Sequence, residues 1–222
     1  LNATQAAAIT TTADSGASTI ALSDATGSSD AVSVNLGNGK GAAFNTGALT
    51  LNGFETITLT SNPKSGNSDL DASIASITAD VATTINLNSN NKGTINLANA
   101  AVTKAATYDA SGMTGALTVA GTLVAGSTLT GSPKGDTIAL GTVGSTYNGG
   151  AGADGFTATA ISIIESSSVF NTLDGGAGTD TLTVSDSAIA FVDTNFSKMS
   201  NMEIITCTSA ANGAVTFTTG GF

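Results

Sequence analysis

Apolar and polar residues alternate along much of the chain with a period of two. The alternation is clear at Val32 and Val34 and again at Ile57 and Leu59, and clusters of Gly, Asn, Asp and Ser separate such stretches. This period is typical of β-strands that bury one face. The nearest helical pattern, residues 193–199, predicts at most one or two turns. The sequence therefore predicts an all-β fold with few or no helices.

Large apolar residues also recur every nine residues in the second half of the chain. Nine-residue repeats are typical of parallel β-solenoids and β-rolls, in which each coil stacks its apolar residues on those of the next. One slip separates two such runs, and we expect a longer coil there with a bulge at 166–168. The runs are Leu129, Ile138, Tyr147 and Phe156, followed by Ile164, Leu173, Leu182 and Phe191.

Two glycine-rich turns lie within this register. Residues 149–156 read Gly-Gly-Ala-Gly-Ala-Asp-Gly-Phe, and residues 175–182 read Gly-Gly-Ala-Gly-Thr-Asp-Thr-Leu. Both fit the pattern G-G-x-G-x-D-x-U-x, in which U is a large apolar residue, and 131–138 is a degenerate copy. In such turns the glycines allow positive φ, and the carbonyl groups and the aspartate can face a cation.

Oxygen atoms of these turns are the candidate metal ligands. Ca²⁺ takes six to eight oxygen ligands from flexible loops, whereas Mg²⁺ requires a stricter octahedron, so Ca²⁺ is the expected cofactor. The alternative is that each aspartate caps its turn by accepting backbone N–H groups. The candidates are the carboxylates of Asp136, Asp154 and Asp180 and the carbonyl groups of Gly149, Ala151, Gly175 and Ala177.

A longer repeat pairs an aspartate with a later glutamate. Asp30 precedes Glu55 by 25 residues, and Asp180 precedes Glu203 by 23, each time with a strand-like segment after both acids. Because no glycine pair surrounds Asp30, a turn cap is favoured there over a metal ligand. The two glutamates are expected to be solvated residues at strand starts, with a ligand role as the weaker alternative.

The tetrapeptide Thr-Ile-Asn-Leu occurs at 84–87 and again at 94–97. Identical strands at this spacing, joined by an Asn-rich turn, indicate either two sides of one coil or a tight hairpin.

Charge and composition exclude several classes of function. The chain has 6 basic residues, all Lys, against 16 acidic ones, so nucleic-acid binding is not expected. It has no His, which removes Ser-His-Asp and Cys-His catalytic arrangements and most zinc sites. Asp69 and Asp71 share one face of a strand, but nothing places a second acidic pair opposite them for glycoside hydrolysis. We therefore expect no enzymatic activity.

Other signals are few. The one cysteine, Cys207, is interpreted as a small apolar residue on a strand. No transmembrane or secretory segment is recognisable. The chain begins at Leu1 rather than Met, and we expect it to be part of a longer protein.

These motifs resemble the RTX-repeat proteins, and among them the bacterial surface-layer (S-layer) proteins and related type I-secreted adhesins. The resemblance rests on the two nonapeptides, on 129–132 leading into 135–138, and on the strand Gly-Phe-Glu-Thr-Ile-Thr-Leu-Thr at 53–60. It implies calcium-dependent folding outside the cell, type I export and assembly on the cell surface. Lys134, Ser145 and Gly155 depart from the nonapeptide pattern, so few calcium sites are expected.

The sequence thus predicts a parallel β-solenoid or β-roll in three regions. Residues 1–15 are a linker or frayed start, 16–125 a β-rich repeat region, and 126–222 an RTX-containing roll continuous with it. Whether the strands before Gly131 share that solenoid or form a separate sandwich is left open.

The expected function is that of an S-layer subunit segment that folds and self-assembles on binding calcium outside the cell. Its expected partners are other copies of itself, with the cell envelope or a surface glycan as a further partner. The alternatives are an adhesin or biofilm-matrix module that binds surface glycans, and the non-catalytic calcium-binding portion of a secreted enzyme.

Overall fold

A computed structural model describes most of the chain as stacked β-strands. The described residues are 9–11, 16–22, 26–37, 44–62, 71–90, 94–97, 100–104, 106–141, 144–159, 165–166, 169–185, 189–208 and 215–218. They form an all-β parallel solenoid, as the alternating pattern predicted. Within these ranges the only helical segment is the 3-10 turn Asp193–Phe196, which lies in the short segment where one or two turns were predicted.

The described strands are numbered in chain order. They are β1 (Ile9–Thr11), β2 (Ser18–Ala21), β3 (Ala31–Leu36), β4 (Phe44–Asn45), β5 (Ala48–Asn52), β6 (Thr56–Ser61), β7 (Asp71–Ile74), β8 (Ser76–Ala79), β9 (Thr84–Ser89), β10 (Thr94–Leu97), β11 (Ala100–Val102), β12 (Thr107–Asp109), β13 (Leu117–Val119), β14 (Thr128–Thr130), β15 (Thr137–Ala139), β16 (Thr146–Asn148), β17 (Gly155–Ala158), β18 (Glu165–Ser166), β19 (Val169–Phe170), β20 (Thr172–Asp174), β21 (Thr181–Val184), β22 (Ile189–Val192), β23 (Met199–Ser200), β24 (Ile204–Cys207) and β25 (Val215–Thr218).

Each coil contributes one strand to each of two long parallel sheets. The nine-stranded sheet has the order β1-β3-β6-β9-β12-β14-β16-β20-β23, and the eight-stranded sheet has the order β4-β7-β10-β13-β15-β17-β21-β24. A third sheet, β2-β5-β8-β11, accompanies the early coils, and β22 pairs with β25 near the other end. Because β12 pairs with β14 and β13 with β15, both long sheets run across residue 126.

The core is built from the apolar slots of the nine-residue register. Leu129, Tyr147 and Leu173 pair in the nine-stranded sheet, and Ile138, Phe156 and Leu182 pair in the eight-stranded sheet. Successive slots of the register therefore alternate between the two sheets. All six side chains are fully buried. Ile164 lies outside the described residues, as does the side chain of Phe191.

The slip in the register is an excursion from the solenoid. Here β18 and β19 form an antiparallel pair, while β17 and β21 on either side still pair in parallel. Ser166 lies in β18, and residues 167 and 168 of the expected bulge lie outside the described residues. The added residues lengthen this coil, and its second added strand still bonds to the preceding coil, because the Phe170 carbonyl accepts the N–H of Gly144 at 3.1 Å.

The repeated Thr-Ile-Asn-Leu segments lie on two sides of one coil. The first begins β9 in the nine-stranded sheet, and the second forms β10 in the eight-stranded sheet. They do not pair with each other, so the hairpin alternative is wrong.

Polar residues on the outer faces also stack in rows. On the nine-stranded sheet six threonines occupy equivalent positions on successive strands, and neighbouring threonines of this kind stabilise a sheet. Hydroxyl groups thus solvate much of the surface of a chain in which only 10% of residues are charged. The row consists of Thr56, Thr84, Thr107, Thr128, Thr146 and Thr172.

Two remaining expectations concern single features. Cys207 lies half-buried at the end of β24, paired with Val184, as expected of a small apolar residue on a strand. In the part of the chain that the structure describes, no helix has the length and apolar character needed to cross a membrane.

Two buried tyrosines give a matched test of core packing. Tyr108 and Tyr147 flank Leu129 in one row, and the Tyr147 hydroxyl accepts the N–H of Gly141 at 2.9 Å. The Tyr108 hydroxyl has no hydrogen-bond partner, and burial raises the pKa of Tyr108 to about 12. We predict that Tyr108→Phe leaves the free energy of unfolding unchanged or raises it by up to ~1 kcal/mol, whereas Tyr147→Phe lowers it by about 1–2 kcal/mol. Urea denaturation measures both, and an equal loss in the two variants would contradict this assignment.

Candidate metal centre

The three glycine-rich turns stack in one row along the solenoid. They connect β14 to β15, β16 to β17 and β20 to β21, and so lead into the eight-stranded sheet. Ala151 pairs with Ala177, Ala177 donates its N–H to the Gly150 carbonyl at 2.9 Å, and Gly152 donates to the Ala177 carbonyl at 2.8 Å. The fold therefore brings the two complete motifs together, and we call this line of turns the carboxylate row.

Glycine is required in this row for two reasons. Gly150 and Gly176 have φ angles of +102° and +94°, in the left-handed region that other residues rarely adopt. A Cβ atom on Gly176 would also clash with the Gly150 carbonyl oxygen of the neighbouring turn. The motif glycines thus serve both the turn and the close stacking of coils.

One oxygen of each carboxylate in the row bonds to the preceding coil. Asp154 accepts the N–H of Asp136 at 2.7 Å, and Asp180 accepts the N–H of Asp154 at 2.7 Å. Glu203 accepts the N–H of Asp180 at 2.8 Å, and Asp136 accepts the N–H of Leu117 at 2.7 Å. We call this chain of contacts the carboxylate ladder. Each of its acidic side chains fastens one coil to the next, which is a capping role between coils.

Glu55 and Glu203 have a structural role that the sequence interpretation missed. The carboxylate of Glu55 accepts the N–H of Asp30 at 2.8 Å, as that of Glu203 does for Asp180. Glu203 is exposed and Glu55 is half-buried, so the expectation of strand-start residues near solvent holds. The signal for the extra role was the shared spacing of aspartate and glutamate in the two long repeats.

The other oxygen of Asp154 and of Asp180 has no hydrogen-bond partner. These two side chains are 1% and 0% exposed, and their Oδ2 atoms are buried. A buried carboxylate oxygen without a donor is costly, because it loses its hydration and gains nothing in exchange. The orphaned oxygens are the two buried acceptors of these turns that no donor in the described part of the chain satisfies.

Asp136, in the degenerate turn, is satisfied differently. Its Oδ2 accepts the N–H of Ser132 at 2.6 Å, and its Oδ1 accepts the Ser132 hydroxyl at 2.6 Å. Ser132 stands where the complete motifs have Gly150 and Gly176, which have no hydroxyl. Of the three candidate aspartates, Asp136 therefore fits a metal ion least well.

Carbonyl oxygens lie beside the orphaned carboxylate oxygens. A Cβ atom on Gly149 would contact Asp154 Oδ2 and lie 2.5 Å from the Gly175 carbonyl oxygen. A Cβ atom on Gly175 would lie 2.7 Å from Asp180 Oδ2 and would contact the carbonyl oxygen of Asn201. Each of these glycines thus lies where two oxygen acceptors converge, and a cation, a proton or a water molecule that donates two hydrogen bonds would satisfy both.

Most of the oxygen atoms that could bind a metal ion here belong to backbone carbonyl groups. Within the described ranges, no three His, Cys, Asp or Glu side chains are grouped to hold a metal ion. The Ala177 carbonyl already accepts the N–H of Gly152, and Ala151 is half-buried in its bridge with Ala177. The convergent oxygens suit a hard cation such as Ca²⁺ in kind, with water completing the shell. Asp69 and the side chain of Asp71 lie outside the described residues.

The structure explains why Ser145 departs from the nonapeptide pattern. Successive nonapeptides alternate between the carboxylate row and the opposite row, whose turns lead into the nine-stranded sheet. There Ser145 donates its N–H to Asn171 Oδ1 at 2.9 Å, and Ala106 donates its N–H to the Ser127 hydroxyl at 3.2 Å. In these coils the opposite row uses neutral side chains for the same bridging contact.

Burial raises the pKa of two aspartates in the carboxylate row. Burial raises the pKa of Asp154 from 3.8 to about 6. The hydrogen bond from the Asp136 N–H lowers this pKa, whereas the neighbouring charges of Asp136 and Asp180 raise it. Burial also raises the pKa of Asp136. Asp136 and Asp154 therefore resist ionisation, and a bound cation would relieve that resistance.

Comparison of the chain with protein-family models, with curated proteins and with solved structures finds no match. The functional inference therefore depends on the geometry of this row and on the sequence motifs.

A pair of glycine substitutions tests the stacking of the turns. Gly176→Ala would strain a positive φ and meet the neighbouring carbonyl, and we predict a loss of about 2 kcal/mol or more in the free energy of unfolding. Gly155→Ala is the control, because its Cβ would lie 3.8 Å from the nearest atom and its φ is not in the left-handed region. We predict no loss there, or a gain of up to ~1 kcal/mol. Similar losses in chemical denaturation of both variants would refute the argument.

The raised pKa of Asp154 predicts a pH dependence in metal-free buffer. The folded chain holds this proton more tightly than the unfolded chain, so stability should rise as the pH falls from about 7 through about 6 and level off near 3.8. Melting temperatures in excess chelator at several pH values measure this. Asp154→Asn should flatten the rise, and an unchanged profile in that variant would show that Asp154 is not its source.

Proposed function

We propose that the chain is a calcium-stabilised structural segment of a secreted cell-surface protein, most specifically of an S-layer subunit. The observation that carries this proposal is the pair of orphaned oxygens on Asp154 and Asp180, each beside a carbonyl oxygen of the next coil. The resemblance of the two complete turns to RTX nonapeptides supports calcium as the ion.

The residues that would hold calcium lie on three successive coils. Asp154 and Asp180 supply carboxylate oxygens, and Gly175 and Asn201 supply the backbone carbonyls beside them, whereas the Gly149 carbonyl lies beside Asp136. The ion would supply positive charge to carboxylates that are otherwise buried without compensation. It would also join neighbouring turns, in addition to the carboxylate ladder and the backbone hydrogen bonds between them.

Calcium would act on the folding equilibrium. Because the unfolded chain has no preformed site, the free energy of binding adds to the free energy of folding. Extracellular calcium modules bind with a Kd of about 10⁻⁴–10⁻³ M, so 10 mM calcium would add about 1.4–2.7 kcal/mol per site. A chain exported unfolded at low calcium would then complete its fold outside the cell.

Self-assembly follows from the same charge balance. The net charge of −10 opposes close packing of copies, and divalent cations reduce such repulsion. The stacked threonine row offers a regular, uncharged face to a neighbouring copy. Other copies of the chain are therefore the proposed partners, and the cell envelope is the proposed location.

Calcium titration tests the folding role. After removal of metal with a chelator, addition of 10 mM calcium should raise the melting temperature by about 3–10 °C per occupied site. Asp154→Asn and Asp180→Asn should each reduce that rise, since both remove charge and keep a hydrogen-bond acceptor for the ladder. Asp80→Asn is the matched control, because Asp80 is exposed and accepts only the N–H of Gly53 from outside the carboxylate row.

Two outcomes of the calcium experiments would contradict the proposal. If calcium changes neither the β content by circular dichroism nor the melting temperature of the unsubstituted chain, the folding role is wrong. If the fold responds but electron microscopy shows monomers at every calcium concentration, the lattice role is wrong and a glycan-binding module becomes the better interpretation.

A further inference from the structure

A fourth buried aspartate, outside the glycine-rich motifs, also has an orphaned oxygen. Asp30 is 4% exposed, and its Oδ2 atom is buried without a hydrogen-bond partner. It precedes β3 in the nine-stranded sheet, so it lies in the opposite row, among the early coils. No nonapeptide signal covers this position.

The Asp30 turn reproduces the contacts of the Asp180 turn. Asp30 donates its N–H to Glu55 at 2.8 Å, and its carbonyl oxygen accepts the N–H groups of Glu55 and Thr56 at 3.0 and 3.1 Å. Asp180 donates its N–H to Glu203 at 2.8 Å, and its carbonyl oxygen accepts the N–H groups of the two corresponding residues at 3.2 and 3.0 Å. The same unit therefore occurs in both rows of turns.

A glycine lies beside the orphaned oxygen in both turns. A Cβ atom on Gly27 would lie 2.7 Å from Asp30 Oδ2, and a Cβ atom on Gly175 would lie 2.7 Å from Asp180 Oδ2. In each case the carboxylate lies directly against a glycine, where any side chain would meet the free oxygen.

We propose that the Asp30 turn is a separate divalent-cation site that takes Ca²⁺. Asp30 supplies the buried carboxylate oxygen, and Glu55 supplies a second negative charge from the next coil. The choice of calcium rests on the proposed function, but the site stands on its own geometry. Its occupation would fasten the coil of β3 to the coil of β6, far along the chain from the motif turns.

A turn cap does not account for Asp30. A capping aspartate uses its carboxylate oxygens to accept backbone N–H groups. Asp30 Oδ2 accepts none, so a cap would leave one buried carboxylate oxygen without compensation. A bound cation removes that cost, and it also offsets the nearby charge of Glu55.

The test is a count of bound calcium ions on the full 222-residue chain. Isothermal titration calorimetry or equilibrium dialysis with calcium, after exhaustive chelation, gives the number and affinity of sites. Asp30→Asn should lose one ion per chain. Gly27→Ala keeps the carboxylate but places a methyl group against it, and it should weaken one site at least tenfold. Asp80→Asn, which removes an exposed carboxylate, should bind as the unsubstituted chain does.

The variants separate this proposal from the function proposed above. Loss of an ion in Asp30→Asn with none lost in Asp154→Asn or Asp180→Asn would uphold this site and overturn the motif sites. The reverse result would overturn this site alone. Should Asp30→Asn fail to fold, Gly27→Ala decides, because its φ is not in the left-handed region. Unchanged ion number and affinity in Gly27→Ala would overturn this site.

Discussion

The structure depends on one repeated contact, a backbone N–H of one coil donated to an acidic side chain of the next. In a parallel solenoid the sheets pair their own backbone groups, but the turns between sheets pair only some of theirs, and the remaining buried turn amides need partners. Asp136, Asp154, Asp180 and Glu203 provide those partners in the carboxylate row. Because each carboxylate has two oxygens and the ladder uses one, the same residues that hold the coils together create the candidate cation sites.

Much of the fold could be predicted because its signals are local and periodic. Alternation in strands such as β3 and β6 fixes which face is buried, and the nine-residue register places Tyr147 and Phe156 in the core. The third sheet of the early coils and the ribbon of β18 and β19 could not be predicted. Both depend on how a long connection closes back on the stack, and no periodic pattern records that.

The candidate site could also be predicted only in part. Glycine pairs and aspartates at fixed spacing indicated the turns at 149–154 and 175–180, which the structure places side by side. The sequence could not indicate that Ser132 satisfies Asp136, because a serine in a degenerate motif has no single expected role. It also favoured a cap for Asp30, since the orphaned oxygen there becomes visible only when the second coil is in place.

The ladder has a direction, and this makes the two ends of any stack of coils unequal. An acidic side chain always accepts from the coil that precedes it, so a coil satisfies its own turn amide only when the following coil is present. Removing coils from the C-terminal side exposes an unpaired donor, whereas removing them from the N-terminal side frees a carboxylate oxygen. When coils are added at the C-terminal end, each new coil therefore supplies the acceptor for the turn amide of the coil before it. A coil added at the N-terminal end supplies a donor instead, and its own acidic side chain gains no partner.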